Sequence, residues 1–183
     1  MNFEARKIQK TVREGYQILL RARAELVLPA EKEEICRYYV TLAEKCMQWA
    51  VEVHGTLLQK QFLALETAVE KARFQTERYL FSMRCVTQTE EHLVLLCESW
   101  LHTQEGKDGY HRISHVWNLD EETVLPFSQI LEAFGVRLKR RSLPFLPDGI
   151  YPTENEMIFY KNPTAEAPFS EFRIPLKTEC LPE

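Results

Sequence analysis

The chain reads as an α+β protein: an antiparallel sheet of about five to seven strands with one long helix packed across a face. Three observations predict this. Strand-like and helix-like segments are segregated along the chain rather than alternating, the order expected when a helix covers an antiparallel sheet. A long amphipathic stripe occupies residues 30 to 73. Beyond residue 77 the apolar period changes from three and four residues to two, the period of half-buried strands.

Residues 1–13 are polar and charged and read as an N-terminal arm, either a short helix or a loose segment. Residues 14–73 read as a strand followed by the long helix. Leu20, Ala22, Ala24 and Leu26 alternate with Arg21, Arg23 and Glu25, a strand pattern, although these residue types also form helices well. Pro29 opens a new element. Glu31, Glu33 and Glu34 suit the positive end of a helix dipole. Ile35, Tyr39, Leu42, Cys46, Trp49 and Val53 then recur at helical steps. Gly55 is a point where the helix would bend or break, and Phe62, Leu65, Val69 and Ala72 resume the stripe. Cys, Trp and Tyr in the stripe favour packing on a sheet over a sustained coiled coil.

Residues 74–176 read as a strand meander with a short helix. Tyr79, Phe81, Met83 and Cys85 alternate with Arg78, Ser82 and Arg84; Leu93, Leu95, Cys97 and Leu101 alternate with His92 and Glu98, with Val94 and Leu96 also apolar. A polar, Gly-containing hairpin loop at 104–109 leads to a strand at 110–119 and an acidic turn at 120–123. Pro126 starts a short helix that runs to about Phe134 and closes near Gly135. Residues 136–148 are irregular. Strands are expected at 156–161 and 169–175, the last an edge strand because it ends in Pro175. With no internal repeat or low-complexity linker, residues 1–183 form a single expected domain.

With 45% hydrophobic residues the chain can bury a core, and a net charge of −4 argues against general nucleic-acid binding. Residues 1–7 mix charges and lack the apolar run of a secretory signal, and no stretch approaches the roughly 20 apolar residues of a membrane helix. The five cysteines are odd in number and without CxxC spacing, so they read as buried thiols in a reducing compartment. A cytoplasmic location, away from membranes, is expected.

Several short motifs share a pattern with one family. Trp117-Asn118-Leu119-Asp120 leads into Thr123-Val124-Leu125-Pro126-Phe127. Further on come Ile150-Tyr151-Pro152-Thr153, Met157-Ile158-Phe159-Tyr160, Ala167-Pro168-Phe169 and Phe172-Arg173-Ile174-Pro175-Leu176. Together they resemble the C-terminal domain of the RsiV-type family, the ectodomain of lysozyme-sensing anti-sigma factors and of many uncharacterised bacterial proteins. The strand and long helix at 16–73 are similar to the segment preceding that domain. A Gly-Gly-Ala-His run typical of the family is replaced here by Trp100-Leu101-His102-Thr103-Gln104-Glu105-Gly106. No sigma-binding segment or membrane helix is recognisable, so the resemblance implies a fold and a bacterial origin, and lysozyme sensing does not carry over.

Chemistry is sparse. His111 and His115 share a strand face, with His102 across the expected hairpin, and three imidazoles would suit zinc. Cys97 near His111 or His115 would make a nucleophile–base pair, but no tight turn presents the thiol. Asp120, Glu121 and Glu122 read as a solvated turn. Arg137, Lys139, Arg140 and Arg141 form a basic cluster suited to an anionic partner. Tyr151 and Phe169, from a C-terminal aromatic set, would suit a partner-binding rim. No phosphate loop or dinucleotide fingerprint is present, and no cofactor is implied. The leading expectation is a non-catalytic binding or sensing module with a protein or small-ligand partner. The alternatives are a metal-dependent hydrolase built on the histidines and a structural protein self-associating through the long helix.

Overall fold

The structure, a computed structural model, describes residues 1–106, 109–138 and 143–176. Nine strands pair into two sheets: six in the order β1-β2-β3-β4-β5-β6, and three in the order β7-β8-β9. The chain forms two compact units, Met1–Met83 with Glu98–Tyr110, and Arg84–Cys97 with the chain from His111 onward. Strands β3 (Glu77–Gln88), β4 (His92–His102) and β5 (Gly109–Asn118) contribute residues to both.

The first unit begins with a hairpin. β1 (Phe3–Glu14) pairs antiparallel with β2 (Gln17–Pro29) from Phe3↔Pro29 to Glu14↔Gln17, with a bulge at Val12/Arg13. Gly15 takes φ +55° at the first of two loop positions, where a II′-type turn needs glycine. Residues 1–13 are therefore a strand and not an arm. Phe3, Ala5, Ile8 and Val12 keep no sustained period of two, and the long pairing with β2 supplies the order.

On β2, Leu20, Ala22, Ala24, Leu26 and Leu28 are buried while Arg21 and Arg23 are exposed, as the alternation predicts. The buried face packs under a continuous 31-residue helix: α1 (Glu33–Trp49), a π-helical turn (Ala50–His54) and α2 (Gly55–Leu63). Its inward residues are Ile35, Tyr39, Ala43, Met47, Ala50, Leu58 and Phe62. Of the expected stripe, Ile35 and Tyr39 are buried, but Trp49 and Val53 are exposed. Small Ala43 and Ala50 face the sheet instead, because they let the helix come close. The π-turn inserts extra backbone and moves the seam to Gly55 and Leu58. Gly55 is helical and lies against β1: a Cβ there would sit 2.7 Å from Val12 Cγ2. It marks a close approach rather than a break.

The helix returns the chain to the end of the sheet where β2 began. β3 therefore leaves parallel to β2, from Leu20↔Glu77 to Leu26↔Met83. This parallel pair departs from the antiparallel meander expected; the six-stranded sheet is mostly antiparallel. Between helix and strand, α3 (Ala68–Arg73) starts with a capping box formed by Thr67 and Glu70.

The second unit is built on β7 (Gly149–Pro152), β8 (Glu156–Lys161) and β9 (Ser170–Pro175), all antiparallel. These form a second sheet rather than continuing the first. Met157, Ile158, Phe159, Tyr160, Ile150 and Tyr151 pack with Val94, Leu96, Val116 and Ile130 as its core. β9 pairs only with β8, so Pro175 ends an edge strand as expected. β6 (Thr123–Val124) pairs briefly with β5, and α4 (Phe127–Ala133) follows Pro126 and closes at Gly135, φ +65°. The acidic turn is held by Asn118, whose Oδ1 accepts from the backbone N–H of Asp120 and Glu121 at 2.9 and 3.0 Å.

Candidate functional site

The residues singled out in the sequence go to separate places. His102 is exposed at the end of β4, in the first unit; His111 is exposed on β5, in the second. His115 is largely buried, and burial pushes its pKa down to about 4, so the ring is neutral at physiological pH. Among the described residues no three His, Cys, Asp or Glu side chains are grouped so as to hold a metal ion. Cys97 is buried in β4, with 1% of its surface accessible. Cys36, Cys46, Cys85 and Cys97 form no disulfide. Arg137 is exposed shortly after α4. Lys139, Arg140 and Arg141 lie outside the described residues.

Tyr151 and Phe169 do not form an open rim. They surround Arg112 of β5, which the sequence reading passed over. The Arg112 guanidinium carbon lies 4.6 Å from the Phe169 ring centre, 5.7 Å from that of Tyr160 and 5.8 Å from that of Tyr151. Its Nη1 donates to the Tyr151 hydroxyl at 3.2 Å and pairs with the Glu171 carboxylate. Asn162 brackets the same residue, accepting from its backbone N–H at 2.7 Å and donating to its carbonyl at 2.9 Å. Arg173 donates to the other Glu171 oxygen at 3.0 Å. Burial pushes the Glu171 carboxyl up, but hydrogen bonds from Arg112 and Arg173 outweigh it and hold its pKa below the usual range. Beside this group the Ser114 hydroxyl donates to the Ile150 carbonyl at 2.7 Å, and the Ser114 N–H donates to the Tyr160 hydroxyl at 2.8 Å. The cluster is internally satisfied and offers a ligand little.

The first unit contains the opposite arrangement. Cross-strand partners project to one face of a sheet. Thr11 pairs with Arg21, and Arg21 with Arg78; Gln9 pairs with Arg23, and Arg23 with Leu80. These two rows lie on the face of β1–β3 away from the helix. With Lys10, Arg13 and His102 they line an open groove of about 740 Å³ that has no carboxylate in its lining. Glu25 lies one row further on, paired with Arg23 and, at 3.9 Å, with Lys7. Arg21 and Arg78 have no ion-pair partner among the described residues. The Tyr79 ring packs toward Trp49 of the helix, 6.0 Å between centres. The groove leaves little trace in the sequence because its cations come from three strands. Its visible trace was the polar half of the β2 alternation, Arg21 and Arg23.

No family model and no curated protein matches the sequence. Solved structures do share its fold. One is a DUF3298 family protein from Pseudomonas aeruginosa, 14% identical, with a TM-score of 0.51 over 95% of this chain and 89% of that one. Another is a member of the DUF3298 family from Bacteroides fragilis, 11% identical, with a TM-score of 0.58 over 95% of this chain and 90% of that one. At such identities the likeness establishes the α+β fold alone. Among the described residues no helix is long and apolar enough to cross a membrane.

Proposed function

We propose that the protein is a non-catalytic binding module whose ligand is anionic and seats in the groove across β1, β2 and β3. The observation that carries this reading is the pair Arg21 and Arg78, side by side in register, exposed, and without an ion-pair partner among the described residues, beside Lys10 and Arg13. Like charges directly opposite on neighbouring strands destabilise a sheet, and an anion removes that cost. The closing motifs of this chain resemble the RsiV-type C-terminal domain, and the solved DUF3298 structures share the chain's α+β fold. The absence of disulfides among the four described cysteines supports a reducing compartment.

Titration calorimetry with a panel of small polyvalent anions at low salt tests the reading. Binding is expected to weaken as salt rises. Charge reversal at Arg21 and Arg78 should abolish it, and charge reversal at Arg140 and Arg141 should leave it intact. If instead the second pair abolishes binding and the first does not, the groove is not the site.

A second reading has its own observation. Trp49, Val53 and Leu57 recur every four residues on the helix and are 46%, 58% and 49% exposed. Such a stripe suits association of the helix with another apolar surface. Light scattering on the wild type and on Val53→Glu/Leu57→Glu checks it: a monomer in both excludes self-association through this face.

A further inference from the structure

We propose that the row Thr11–Arg21–Arg78 is a subsite for the phosphate group of a phosphate monoester on a small polar molecule. This deepens the anion-binding reading above and rests on it.

Register is the first ground. Thr11, Arg21 and Arg78 are consecutive cross-strand partners on β1, β2 and β3. Neighbouring strands lie about 4.8 Å apart, so one hydroxyl and two guanidinium groups project from a single line across the sheet. A phosphate monoester presents three strong acceptor oxygens and a charge of about −1.5 to −2 at one point. It therefore answers both guanidinium charges at once, and each fork can donate two N–H bonds to it. A carboxylate carries a single charge and leaves the pair half compensated.

Charge balance is the second ground. Glu25, two rows along the same face of β2, is engaged by Arg23 and Lys7. Nothing in the lining substitutes for an external anion at Arg21 and Arg78. The cations are mostly arginine, which binds planar and tetrahedral oxyanions through fixed forks, where lysine acts as a point charge.

The lining also limits what the phosphate is attached to. About 740 Å³ is the scale of a small-molecule site. Tyr79 is the one aromatic residue lining the groove other than His102, and it is 6% exposed, with its ring turned toward Trp49. A stacking platform for a nucleobase is therefore missing. Gln9, Lys10, Arg13 and Arg23 offer hydrogen-bond donors instead, which suits a hydroxyl-rich body such as a sugar.

The experiment is calorimetry on the full chain at low salt with four probes: glucose 6-phosphate, glucose, inorganic phosphate and tricarballylate. Thermal melts of the ligand-free protein run alongside. Glucose 6-phosphate is expected to bind about tenfold more tightly than inorganic phosphate or tricarballylate, and glucose not at all. Arg21→Gln and Arg78→Gln should each weaken it at least about tenfold, while raising the melting temperature of the free protein because a like-charge contact is relieved. Thr11→Val should weaken it less than either arginine variant.

The outcomes separate the two claims. No binding by any anion overturns both the anion-binding reading and this subsite. Tricarballylate binding as tightly as glucose 6-phosphate, with loss in Arg21→Gln, keeps the anion site and overturns the phosphate assignment. Equal affinity for inorganic phosphate and glucose 6-phosphate makes free phosphate the ligand and overturns the monoester. A fall in the melting temperature of both arginine variants removes the repulsion on which the subsite rests.

Discussion

Arginine does opposite things in the two units of this protein. In the second, Arg112 keeps 11% of its side-chain surface, lies against three aromatic rings and shares Glu171 with Arg173. In the first, Arg21 and Arg78 are exposed neighbours that share no carboxylate among the described residues. Both settings are arginines on strands, so residue type does not distinguish them. What distinguishes them is whether the fold itself supplies the counter-charge. Where it does, the arginine is a structural fastener; where it does not, the positive field is left for something else to answer.

The largest expected effect comes from removing the fastener. Arg112→Met leaves the Glu171 carboxylate half-buried beside one remaining cation and strips the rings of theirs. The cost should be about 3 kcal/mol, read as a lower denaturant midpoint with an unchanged slope. Adding Glu171→Gln should recover part of it. If Arg112→Met melts like the wild type, the cluster is not a fastener and the contrast with the groove disappears.

Acid should weaken the second unit in two steps. His115 titrates near 4 in the folded protein because it is buried, against about 6.5 when unfolded. As pH falls through that window the unfolded chain takes up the proton first, so stability drops, by about 3 kcal/mol in all. Glu171 behaves as a depressed carboxylate: its contribution is present above the unfolded value of about 4.3 and is lost as pH falls through its lower folded value. Unfolding of His115→Gln measured between pH 7 and 4 should show the first slope flattened. A slope unchanged from wild type would mean that His115 is not the group responsible.

Gly149 gives a smaller, more local break. A Cβ there would overlap the Tyr160 ring, which lies over Arg112 and whose hydroxyl accepts from the Ser114 N–H. Gly149→Ala should cost about 2 kcal/mol by displacing that ring, and near-ultraviolet circular dichroism should report the loss of fixed tyrosine packing. Groove affinity in the same variant should not change, since nothing in the first unit is touched.

Much of the fold was legible because burial on β2 and β3 follows a period of two, and the long helix follows a period near 3.6. β1 was not, since Phe3, Ala5, Ile8 and Val12 keep no sustained period of two and its order comes from β2. The helix face was misread at Trp49 and Val53 because large residues look more core-like than Ala43 and Ala50. A π-turn also leaves no sequence signature. Of the sites, Tyr151 and Phe169 stood out as aromatics, but their partner Arg112 did not, being a single arginine in a strand of mixed polarity. The groove was hidden for a different reason. Arg21 and Arg78 meet only because the helix crossover makes β2 and β3 parallel and fixes Leu20 against Glu77. A shift of one residue in that register would place Arg21 beside Glu77 or Tyr79. The run Arg137–Arg141 is conspicuous because its cations are close in sequence, and all but Arg137 of them lie outside the described residues.

The smallest effect is the most diagnostic. A double-mutant cycle on Arg21 and Arg78, with glutamine at each, should give a coupling of about 0.5 kcal/mol in the free protein, of repulsive sign. The matching cycle on Arg112 and Glu171 should give an attractive coupling several times larger. High salt should shrink the first, because both groups are solvated, and barely change the second, because its charges are sheltered. Saturating glucose 6-phosphate should reverse the sign of the Arg21–Arg78 coupling, since each arginine then helps hold what the other binds. If the two cycles share a sign in the free protein, Arg21 and Arg78 are already compensated and the groove has no unmet charge to offer a ligand.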